Sequence, residues 1–478
     1  MTRLARVNFL MESKMRLRLN QFLILTSLTL FSLTVLAEDR EPWLKPVAAD
    51  WSVQGLLNVG DNVNGYRMVG IPDGLGAINN GDGTITVFMN HEIAAEKGVV
   101  RLHGEKGAFV SRWKLDLATL KVTAGEDLTH FVNLWNPNEP VASSRSPHAF
   151  NRLCSADLAA PSAFFDALSG KGFNGRLLLN GEEDKSGGRV FAHVLTGPEE
   201  GVAYELPHFG KAAWENAVAN PHAGLKTVVM ALDDSAGGQV YVYVGEKHAE
   251  GNPVERAGLV YGRLYAIRTN GARFDLVEPG DVTLMSGAAL EQASQKVGAT
   301  AFLRPEDGAW DPRDGRVFYF ATTDKIDGNS QLFRLTFDDA KQAERGGRIE
   351  AMLNARDIGA QMFDNLTVDG DGRVLIQEDP GKHAHPAGIW LFDPVGKQAT
   401  RLFEASHARF VDKTSPDFIT EDEEQSGIIE VTELVKSAPW FDHARRYYLG
   451  VTQAHAPHPD PALVEYGQLY LISGPAGE

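Results

Sequence analysis

TVVMALDD, residues 227–234, is an apolar run that ends in two carboxylates, and QVYVYVG, residues 239–245, follows it within the length of one hairpin. The second run alternates with a period of two, which is typical of a half-buried strand. Together the two runs predict an antiparallel hairpin whose first strand carries acids at its tip.

The same arrangement occurs six times along the chain, at an irregular spacing. The first runs end in carboxylates or in their amide and imidazole relatives, and they are TVFMNHE (86–92), RLLLNGEE (176–183), TVVMALDD (227–234), VFYFATTD (317–324), RVLIQED (373–379) and YYLGVTQAH (447–455). Their partners are FVSRWKLD (109–116), RVFAHVL (189–195), QVYVYVG (239–245), QLFRLTFD (331–338), GIWLFDP (388–394) and QLYLISG (468–474). Six such hairpins predict an all-β fold, a six-bladed β-propeller, in which equivalent tips converge at one mouth of the central channel.

Two interpretations of the acidic tips are open. Asp and Glu favour solvated turns, so the acids could simply mark the ends of strands. If the tips instead form a ring, the carboxylates would repel one another and take up protons unless cations neutralise them. On this second interpretation the candidate carboxylate ligands are Glu92, Glu182, Glu183, Asp234, Asp364, Glu378 and Asp379.

The composition suits a large, turn-rich β domain with an ample core. The chain has 478 residues, 43% of them apolar, with 48 Gly and 23 Pro. Lys and Arg together number 46 against 63 Asp and Glu, which gives a formal charge of −17. Such an excess of acid argues against nucleic acid or an anionic membrane surface as a partner. We expect a monomer that has no nucleic-acid partner and no stable membrane insertion.

The N-terminal segment is predicted to be a signal peptide, so we expect a periplasmic or secreted protein. Basic residues at positions 14, 16 and 18 precede an apolar stretch at 22–36, and Val-Leu-Ala at 35–37 is typical of a signal-peptidase site. We expect residues 1–37 to be this signal peptide, with Met15 as an alternative start, and residues 38–478 to form a single domain. A membrane anchor is the other interpretation, although the apolar stretch is short and contains several hydroxyl side chains.

Three segments, 157–165, 211–219 and 284–296, are predicted as short helices inserted between strands. Insertions on a propeller commonly form the walls of a pocket over the channel mouth, because loops tolerate added length at little thermodynamic cost. The acidic segment DEEQSGIIEVTEL, residues 422–434, is open to two interpretations: it covers one side of the site, or it is a solvated loop.

Cys154 is the single cysteine, so no disulfide can form within one chain. A lone thiol in an oxidising compartment is at risk unless it is buried or bound to a metal. Cys154 is therefore either a small core residue or a metal thiolate. A thiolate beside the carboxylates of Glu182 and Glu183 would favour iron, which accepts both ligand types.

The segment DNLTVDGDGRVLIQEDPG, residues 364–381, has the Asp-x-Asp-Gly core of a calcium loop. It lacks the EF-hand spacing and the closing bidentate Glu. Residues 369–372 are therefore predicted to form a hairpin turn, and the expected ligands are Asp364, Glu378 and Asp379.

The segment RPEDGAWDP, residues 304–312, sets a guanidinium two residues before a carboxylate. Residues i and i+2 of an extended segment share a face, so Arg304 could hold an anionic substrate in the pocket where Glu306 binds a metal. A surface ion pair is the alternative. The chain contains no Gly-x-Ser-x-Gly elbow, His-Glu-x-x-His helix or Walker loop, so the serine hydrolase, zincin and nucleotidase classes have no support.

The order of these groups resembles the PhoX-type alkaline phosphatases, from about residue 50 to the C-terminus. The residues that carry the resemblance are Asn90-His91-Glu92, Cys154, Glu182-Glu183, Asp233-Asp234, Arg304-Pro305-Glu306, Asp364-Asn365-Leu366 and Glu378-Asp379. The resemblance implies a six-bladed propeller whose channel mouth holds a cluster of Fe³⁺ and Ca²⁺ that hydrolyses phosphate monoesters, with a small-molecule phosphate ester as the partner. It also implies an exported protein.

Carried over residue by residue, the resemblance implies that Cys154 binds iron and that Glu182 or Glu183, or both, supply the next carboxylate. It further implies that Glu306 binds metal and that Arg304 contacts the substrate phosphate. The chain departs from the family after Cys154, where SADLAAPSAFF replaces a Thr-Pro-Trp-Gly-Thr run, and at Ser235, where an acid is expected. These departures place it in a divergent branch.

Two other functions are compatible with the same pattern. One is a noncatalytic calcium-binding propeller that acts as a binding module. The other is a calcium-dependent propeller lactonase or esterase that would use a tip histidine such as His91 as its base, with no need for Cys154 or Arg304.

Overall fold

The computed structural model describes residues 40–139 and 141–477, and strands form most of this part of the chain. The predicted signal peptide, residues 1–37, lies outside the described residues. In the described residues no helix has the length and apolar character needed to span a membrane. The all-β prediction is confirmed.

Strands are numbered in chain order. The first sixteen are β1 (Leu44–Pro46), β2 (Ser52–Asn58), β3 (Asn62–Val63), β4 (Tyr66–Arg67), β5 (Pro72–Asn79), β6 (Thr84–His91), β7 (Phe109–Asp116), β8 (Val122–Asp127), β9 (Phe131–Leu134), β10 (Ser144–Arg145), β11 (Leu153–Asp157), β12 (Phe165–Asp166), β13 (Lys171–Gly172), β14 (Leu177–Glu182), β15 (Val190–Val194) and β16 (Val202–Glu205).

The remaining strands are β17 (Trp214–Ala219), β18 (Lys226–Asp233), β19 (Val240–Glu246), β20 (Arg263–Asn270), β21 (Arg273–Val277), β22 (Pro305–Trp310), β23 (Val317–Thr322), β24 (Gln331–Phe337), β25 (Gly347–Asn354), β26 (Phe363–Val368), β27 (Val374–Glu378), β28 (Gly388–Asp393), β29 (Gln398–Ala405), β30 (Glu423–Glu430), β31 (Arg445–Ala454) and β32 (Tyr466–Pro475). The α-helices of the described chain are α1 (Pro253–Arg256), α2 (Gly287–Lys296), α3 (Ala355–Ile358) and α4 (His407–Phe410), and short 3-10 turns lie at Pro161–Ala163, Pro207–Phe209 and Ala343–Arg345.

The strands are arranged in six antiparallel units of four neighbouring strands each. In chain order the units are β5-β6-β7-β8, β11-β14-β15-β16, β17-β18-β19-β20, β22-β23-β24-β25, β26-β27-β28-β29 and β30-β31-β32-β2. The third and fourth units join edge to edge through β21 and β25 into one nine-stranded sheet. The last unit takes β2 from the opposite end of the described chain, so strands from both ends of this chain pair in one sheet.

All six hairpins predicted from the sequence are present. The first runs form β6, β14, β18, β23, β27 and β31, and each pairs antiparallel with its predicted partner, which is β7, β15, β19, β24, β28 or β32. These strands are the second and third of each unit. The predicted hairpin turn at residues 369–372 is confirmed between β26 and β27, where the Asp369 carboxylate accepts hydrogen bonds from the backbone N–H groups of Asp371 and Arg373.

The first strand of each unit is here called an inner strand. The inner strands are β5, β11, β17, β22, β26 and β30; each contacts the next, and β30 contacts β5, so they form a closed series. A register shift interrupts the pairing of every inner strand with the second strand of its unit. Such bulges bend a strand and redirect its side chains, which here affects the ends where the inner strands begin.

Apolar residues fill the junctions between neighbouring units. The largest cluster packs the second unit against the third and includes Trp214, Phe209 and Tyr243, all fully buried. Further clusters join the other neighbouring units in the same way. Burial of this surface, at about 25 cal/mol per Å², holds the closed series together.

The helix predicted over 284–296 is confirmed as α2, which Ser286 caps by accepting a hydrogen bond from the Ala289 N–H. Segment 157–165 contains only a short 3-10 turn. The helix predicted over 211–219 is wrong, because this segment forms strand β17. Every residue of β17 is buried, and a strand buried on both faces lacks the alternation that separates strands from helices in sequence.

The packing of β2 in the last unit makes a stability prediction. Leu57 on β2 is fully buried, so Leu57→Ala is expected to lower the free energy of unfolding by about 2–5 kcal/mol. Val395→Ala, at a position 90% exposed, is the control and is expected to change it by less than about 0.5 kcal/mol. Urea denaturation followed by fluorescence measures both, and equal midpoints would contradict the packing of Leu57 between the last unit and the first.

Candidate metal centre

A polar cavity of ≈ 240 Å³ lies at the end where the inner strands begin. Its lining consists of Asp73, Glu92, Arg152, Cys154, Glu183, Glu215, Asp234, Arg304, Glu306, Asp364, Asp379, Gly381, Asp422, Glu424 and His455. Ten carboxylates, one thiol and three basic side chains therefore surround one small space.

The inner strands supply one group of lining residues, here called the inner ring. Each is the second residue of its inner strand, and they are Asp73, Cys154, Glu215, Glu306, Asp364 and Glu424. In five of the six strands the register shift spans the ring residue. The bulges thus fall where side chains must leave the regular alternation of the sheet and enter the cavity.

The second strands supply another group, here called the tip residues. Each is the first residue after its strand, and they are Glu92, Glu183, Asp234, Asp379 and His455. In the fourth unit this place holds Thr323. Asp324, the acid of that run, instead accepts a hydrogen bond from the Asn329 N–H at 2.5 Å and does not line the cavity. Five of the six runs therefore bring their last residue to one cavity.

The ligand-type atoms of the lining fall into four overlapping groups, each with atoms within 4.8 Å of one another. The groups are Asp73-Glu92-Cys154, Cys154-Glu183-Glu215, Glu215-Glu306-Asp364 and Asp364-Asp379-Glu424. Neighbouring groups share Cys154, Glu215 or Asp364. In addition, Asp73 Oδ1 is buried with no hydrogen-bond partner among the described residues. Several acids arranged around a small space, with an orphaned oxygen, fit a cluster of cations.

Burial and mutual repulsion shift the ionisation of these acids. Burial first, and neighbouring carboxylates second, raise the pKa of Asp73, Glu306 and Asp364 well above the ordinary range. Burial likewise raises the pKa of Glu215 to about 8 and of Asp379 to about 7. Without cations these carboxyls would retain protons, so the fully ionised set requires bound positive charge.

Cys154 belongs to this cavity and not to an apolar core. Its thiol is buried and Sγ lies 3.2 Å from Glu183 Oε2. Burial, and then the charges of Glu92 and Glu215, raise the pKa of the thiol. Because Cys154 joins two of the four donor groups, the lining offers a thiolate together with carboxylates, a ligand set that suits iron.

A hydrogen-bonded network lies beneath the ring. Ser155 Oγ donates to Glu215 Oε1 at 2.5 Å, and Asn365 Nδ2 donates to Ser155 Oγ at 2.6 Å. Gln453 Nε2 lies 3.2 Å from carboxylate oxygens of both Asp73 and Glu92. Outer bonds of this kind fix the orientation of ligand side chains.

Arg304 and Glu306 both line the cavity. The backbone at Arg304, however, does not have the extended conformation that was expected from sequence. Arg304 has a left-handed backbone, with φ 57°. Its Nε and Nη2 each donate to an oxygen of Asp234 at 2.7 Å, and Nη2 lies 3.2 Å from Glu306 Oε1. The Glu306 side chain is only 5% exposed, so the pair is not a surface ion pair.

Two of the predicted ligands, Glu182 and Glu378, do not line the cavity. Glu182 Oε1 hydrogen-bonds with His148 Nε2 at 2.8 Å, and Glu378 Oε1 with His385 Nε2 at 3.1 Å. Successive residues at a strand end point to opposite sides. In each acidic pair, therefore, only the second residue reaches the cavity.

His91, the base that a lactonase would need, is also outside the lining. Its ring stacks on Phe109 at 4.3 Å between centroids, and its two nitrogens hydrogen-bond with Gly70 O and Ser111 Oγ. Burial lowers the pKa of His91 to about 3. The ring is packed away from the cavity and cannot act in it.

Six ionisable lining residues were not among the site residues predicted from sequence: Asp73, Arg152, Glu215, Asp422, Glu424 and His455. Glu215 was not predicted as a site residue because the composition of its strand favours a helix. Glu424 lies in the acidic segment 422–434, and of the two interpretations of that segment the structure supports the one that covers the site. An acid near the start of the strand preceding each hairpin is the signal that could have found Asp73, Glu215 and Glu424.

The fold and the cavity define an all-β protein with a centre suited to several cations. A family model described as alkaline phosphatase PhoX matches residues 198–405. Pseudomonas fluorescens PhoX, solved with the transition-state analogue vanadate, is 14% identical with a TM-score of 0.65, covering 90% of this chain and 96% of that chain. These findings confirm the resemblance to the PhoX-type alkaline phosphatases, and at this identity the likeness between the two structures shows the fold alone.

Other comparisons are weaker. A Dyadobacter fermentans protein of unknown function is 10% identical with a TM-score of 0.42, covering 88% of this chain and 98% of that chain. A Pseudomonas aeruginosa periplasmic gluconolactonase is 12% identical with a TM-score of 0.35, covering 82% and 83%. A search of curated proteins found no match.

The raised pKa values predict how stability depends on pH when cations are removed. The pKa of Glu215 is about 8 and that of Asp379 about 7, both above those of ordinary carboxyls in the unfolded chain. A raised folded-state pKa favours folding below the unfolded pKa, and this stability is lost as pH rises through the folded pKa. The metal-free protein should therefore melt at progressively lower temperature as pH rises from about 5 to about 8.

Cations bind the native state and add stability by mass action. Excess chelator at pH 8 should lower the melting temperature by more than about 5 °C, and the calcium-loaded protein should show a flatter pH profile. Scanning calorimetry with and without chelator measures both. Identical melting curves at every pH would contradict a cation-dependent centre.

Proposed function

We propose that this protein is a metal-dependent phosphatase that hydrolyses phosphate monoesters in the cavity described above. The observation that carries the proposal is the series of four overlapping donor groups, which contains one thiol and lies beside the guanidinium of Arg304. The PhoX family match over residues 198–405 supports a phosphatase in particular.

We infer that the six units are the blades of a β-propeller. The closed series of inner strands and the pairing of β2 with β32 support this architecture, because a closed ring of blades commonly joins both ends of the chain in one sheet. The cavity would then be the mouth of the central channel.

The proposed cofactors are Fe³⁺ and Ca²⁺. The groups that contain Cys154 fit iron, since they combine a soft sulfur with carboxylates, and Glu306, Asp364, Asp379 and Glu424 offer only oxygen, which fits calcium. Such a cluster, when bound, would neutralise the phosphate and lower the pKa of a water molecule.

The residues of the chain have separate tasks in this proposal. Asp234 holds one edge of the Arg304 guanidinium, which leaves Nη1 to donate to a non-bridging phosphate oxygen as negative charge grows there. The hydrogen bonds from Ser155 and Gln453 keep Glu215 and Asp73 in place. Cys154 is unsuited to be a nucleophile, because burial and the nearby carboxylates raise its pKa.

We propose an exported enzyme, periplasmic or secreted, that acts as a monomer on a small-molecule phosphate ester. The basic residues and the apolar stretch at 14–36 support export. The noncatalytic calcium-binding propeller is the second candidate. It is favoured by positions 323 and 235, where the chain has Thr323 and Ser235 instead of acids. A phosphomonoester assay of the iron- and calcium-loaded wild type separates the two, and no activity there would favour the second candidate.

Replacement of Arg304 tests the substrate role. Arg304→Ala should lower kcat/KM for a phosphomonoester by roughly two to three orders of magnitude. Arg304→Lys should lower kcat/KM less than this, because an ammonium keeps the charge but cannot form the two parallel hydrogen bonds of a guanidinium. The matched control is Arg334→Ala. Arg334 is 30% exposed and ion-paired with Glu350 at 2.7 Å, much as Arg304 is 31% exposed and paired at 2.7 Å.

Steady-state kinetics and metal analysis are measured on all four proteins. Metal content should stay near that of the wild type in every variant, and Arg334→Ala should keep wild-type kinetics. Equal kcat/KM in Arg304→Ala and Arg334→Ala would remove Arg304 from the mechanism.

Replacement of Cys154 tests the thiolate. Cys154→Ser should lose iron and keep most of its calcium, because a hydroxyl is a far weaker ligand for iron than a thiolate. Thiol reagents should modify the metal-loaded wild type slowly and the iron-depleted protein faster. Full iron content and activity in Cys154→Ser would show that the thiol serves only in packing.

A further inference from the structure

Arg152 and Arg304 occupy equivalent places in the second and fourth units. Each lies two residues before the inner-ring residue of its unit, and each has a left-handed backbone, with φ of 52° and 57°. The same place in two other units also has positive φ but holds Ile71 and Met362. The backbone geometry is therefore a recurring property of the fold, whereas a guanidinium in this place is confined to these two units.

Both guanidiniums are held in similar surroundings. Arg152 Nη2 contacts Glu92 Oε1 at 2.7 Å and also Glu183 Oε2, whereas Arg304 is held by the carboxylates of Asp234 and Glu306. Each arginine is thus fixed by two lining carboxylates, at least one of them from a tip. Within the described residues, no hydrogen bond comes from Nη1 of either arginine. Each guanidinium therefore has donors left for a ligand.

The two arginines are more exposed than the carboxylates that hold them. The side chain of Arg152 is 46% exposed and that of Arg304 is 31% exposed, whereas their four carboxylate partners are between 4% and 11% exposed. An anionic substrate that approaches ten carboxylates is repelled unless positive charge meets it first. The guanidiniums place positive charge on the more exposed side of the carboxylates that hold them.

Their placement also defines where a ligand would lie. Arg152 belongs to the second unit and Arg304 to the fourth, so they flank the third unit, which supplies Glu215 and Asp234. Glu183, a partner of Arg152, and Glu306, a partner of Arg304, belong to neighbouring donor groups that share Glu215. The two guanidiniums therefore stand on either side of one short arc of the cavity.

We propose that Arg152 is a second contact for the substrate phosphate, acting with Arg304 on non-bridging oxygens of the same group. This inference rests on the proposed function. Two guanidiniums and a cation cluster use all three non-bridging oxygens of a terminal phosphate, whereas a diester offers two. The pair therefore specifies monoesters over diesters.

The test uses inorganic phosphate as the probe and the metal-loaded protein. Arg152→Ala should weaken phosphate binding, measured by calorimetry, by about tenfold or more, and Arg152→Lys should bind with intermediate affinity. The ratio of kcat/KM for a monoester to that for a diester should fall in Arg152→Ala. The matched control is Arg268→Ala, because the Arg268 side chain is also 46% exposed and ion-paired, with Asp275. It should equal the wild type.

Metal analysis on every variant separates the outcomes. Weakened phosphate binding with wild-type metal content supports the inference. Unchanged phosphate affinity in Arg152→Ala, beside an active wild type, overturns the inference and leaves the proposed function intact. Loss of metals in both Arg152→Ala and Arg152→Lys also overturns it, since Arg152 would then only hold Glu92 and Glu183 in place. A metal-loaded wild type that neither binds phosphate nor hydrolyses the ester overturns the proposed function as well.

Discussion

Repulsion among buried carboxylates is the constraint on which the rest of this structure depends. Six inner strands begin at one place, and five of them bring an acid there while the sixth brings Cys154. A closed series of strands cannot spread apart to relieve this repulsion without opening the apolar junctions between its units. Bound cations are the remaining way to keep the acids both ionised and close together.

The same constraint explains why the local backbone is irregular where the site lies. A regular strand would place successive side chains on opposite faces, inside the two junctions beside it. The register shifts at the start of the inner strands release one residue from this alternation, and that residue is the ring residue in five strands. The same irregularity thus recurs from unit to unit. The apolar packing between the units offsets the free energy that each bulge costs.

The parts of the fold that could be predicted from sequence are those with a local signal. The second run of each hairpin alternates with a period of two, and the first run ends in an acid or, in the sixth hairpin, a histidine. All six hairpins were therefore predictable, as were Glu92, Glu183 and Asp234 as a convergent set. The inner strands have no such signal, because burial on both faces removes the alternation of apolar and polar residues. Glu215 was therefore not predicted, since its strand β17 was not recognised as a strand. Sequence also could not tell which acid of the pairs at 182–183 and 378–379 faces the cavity, because that depends on where each strand ends.

The six units are similar in fold, but they contribute different side chains to the cavity. These differences determine which ligands the cavity can bind. A set of acids alone would hold cations and repel phosphate. Arg152 and Arg304 are exposed above the acids in only two units, and His455 stands at a tip between Glu424 and Glu465. At these two places positive charge is more exposed than the carboxylates that hold it, an arrangement that would let an anion bind above cations held by the acids. In the proposed function a repeated frame thus provides the cation centre, and single substitutions within the repeat provide the site for an anionic substrate.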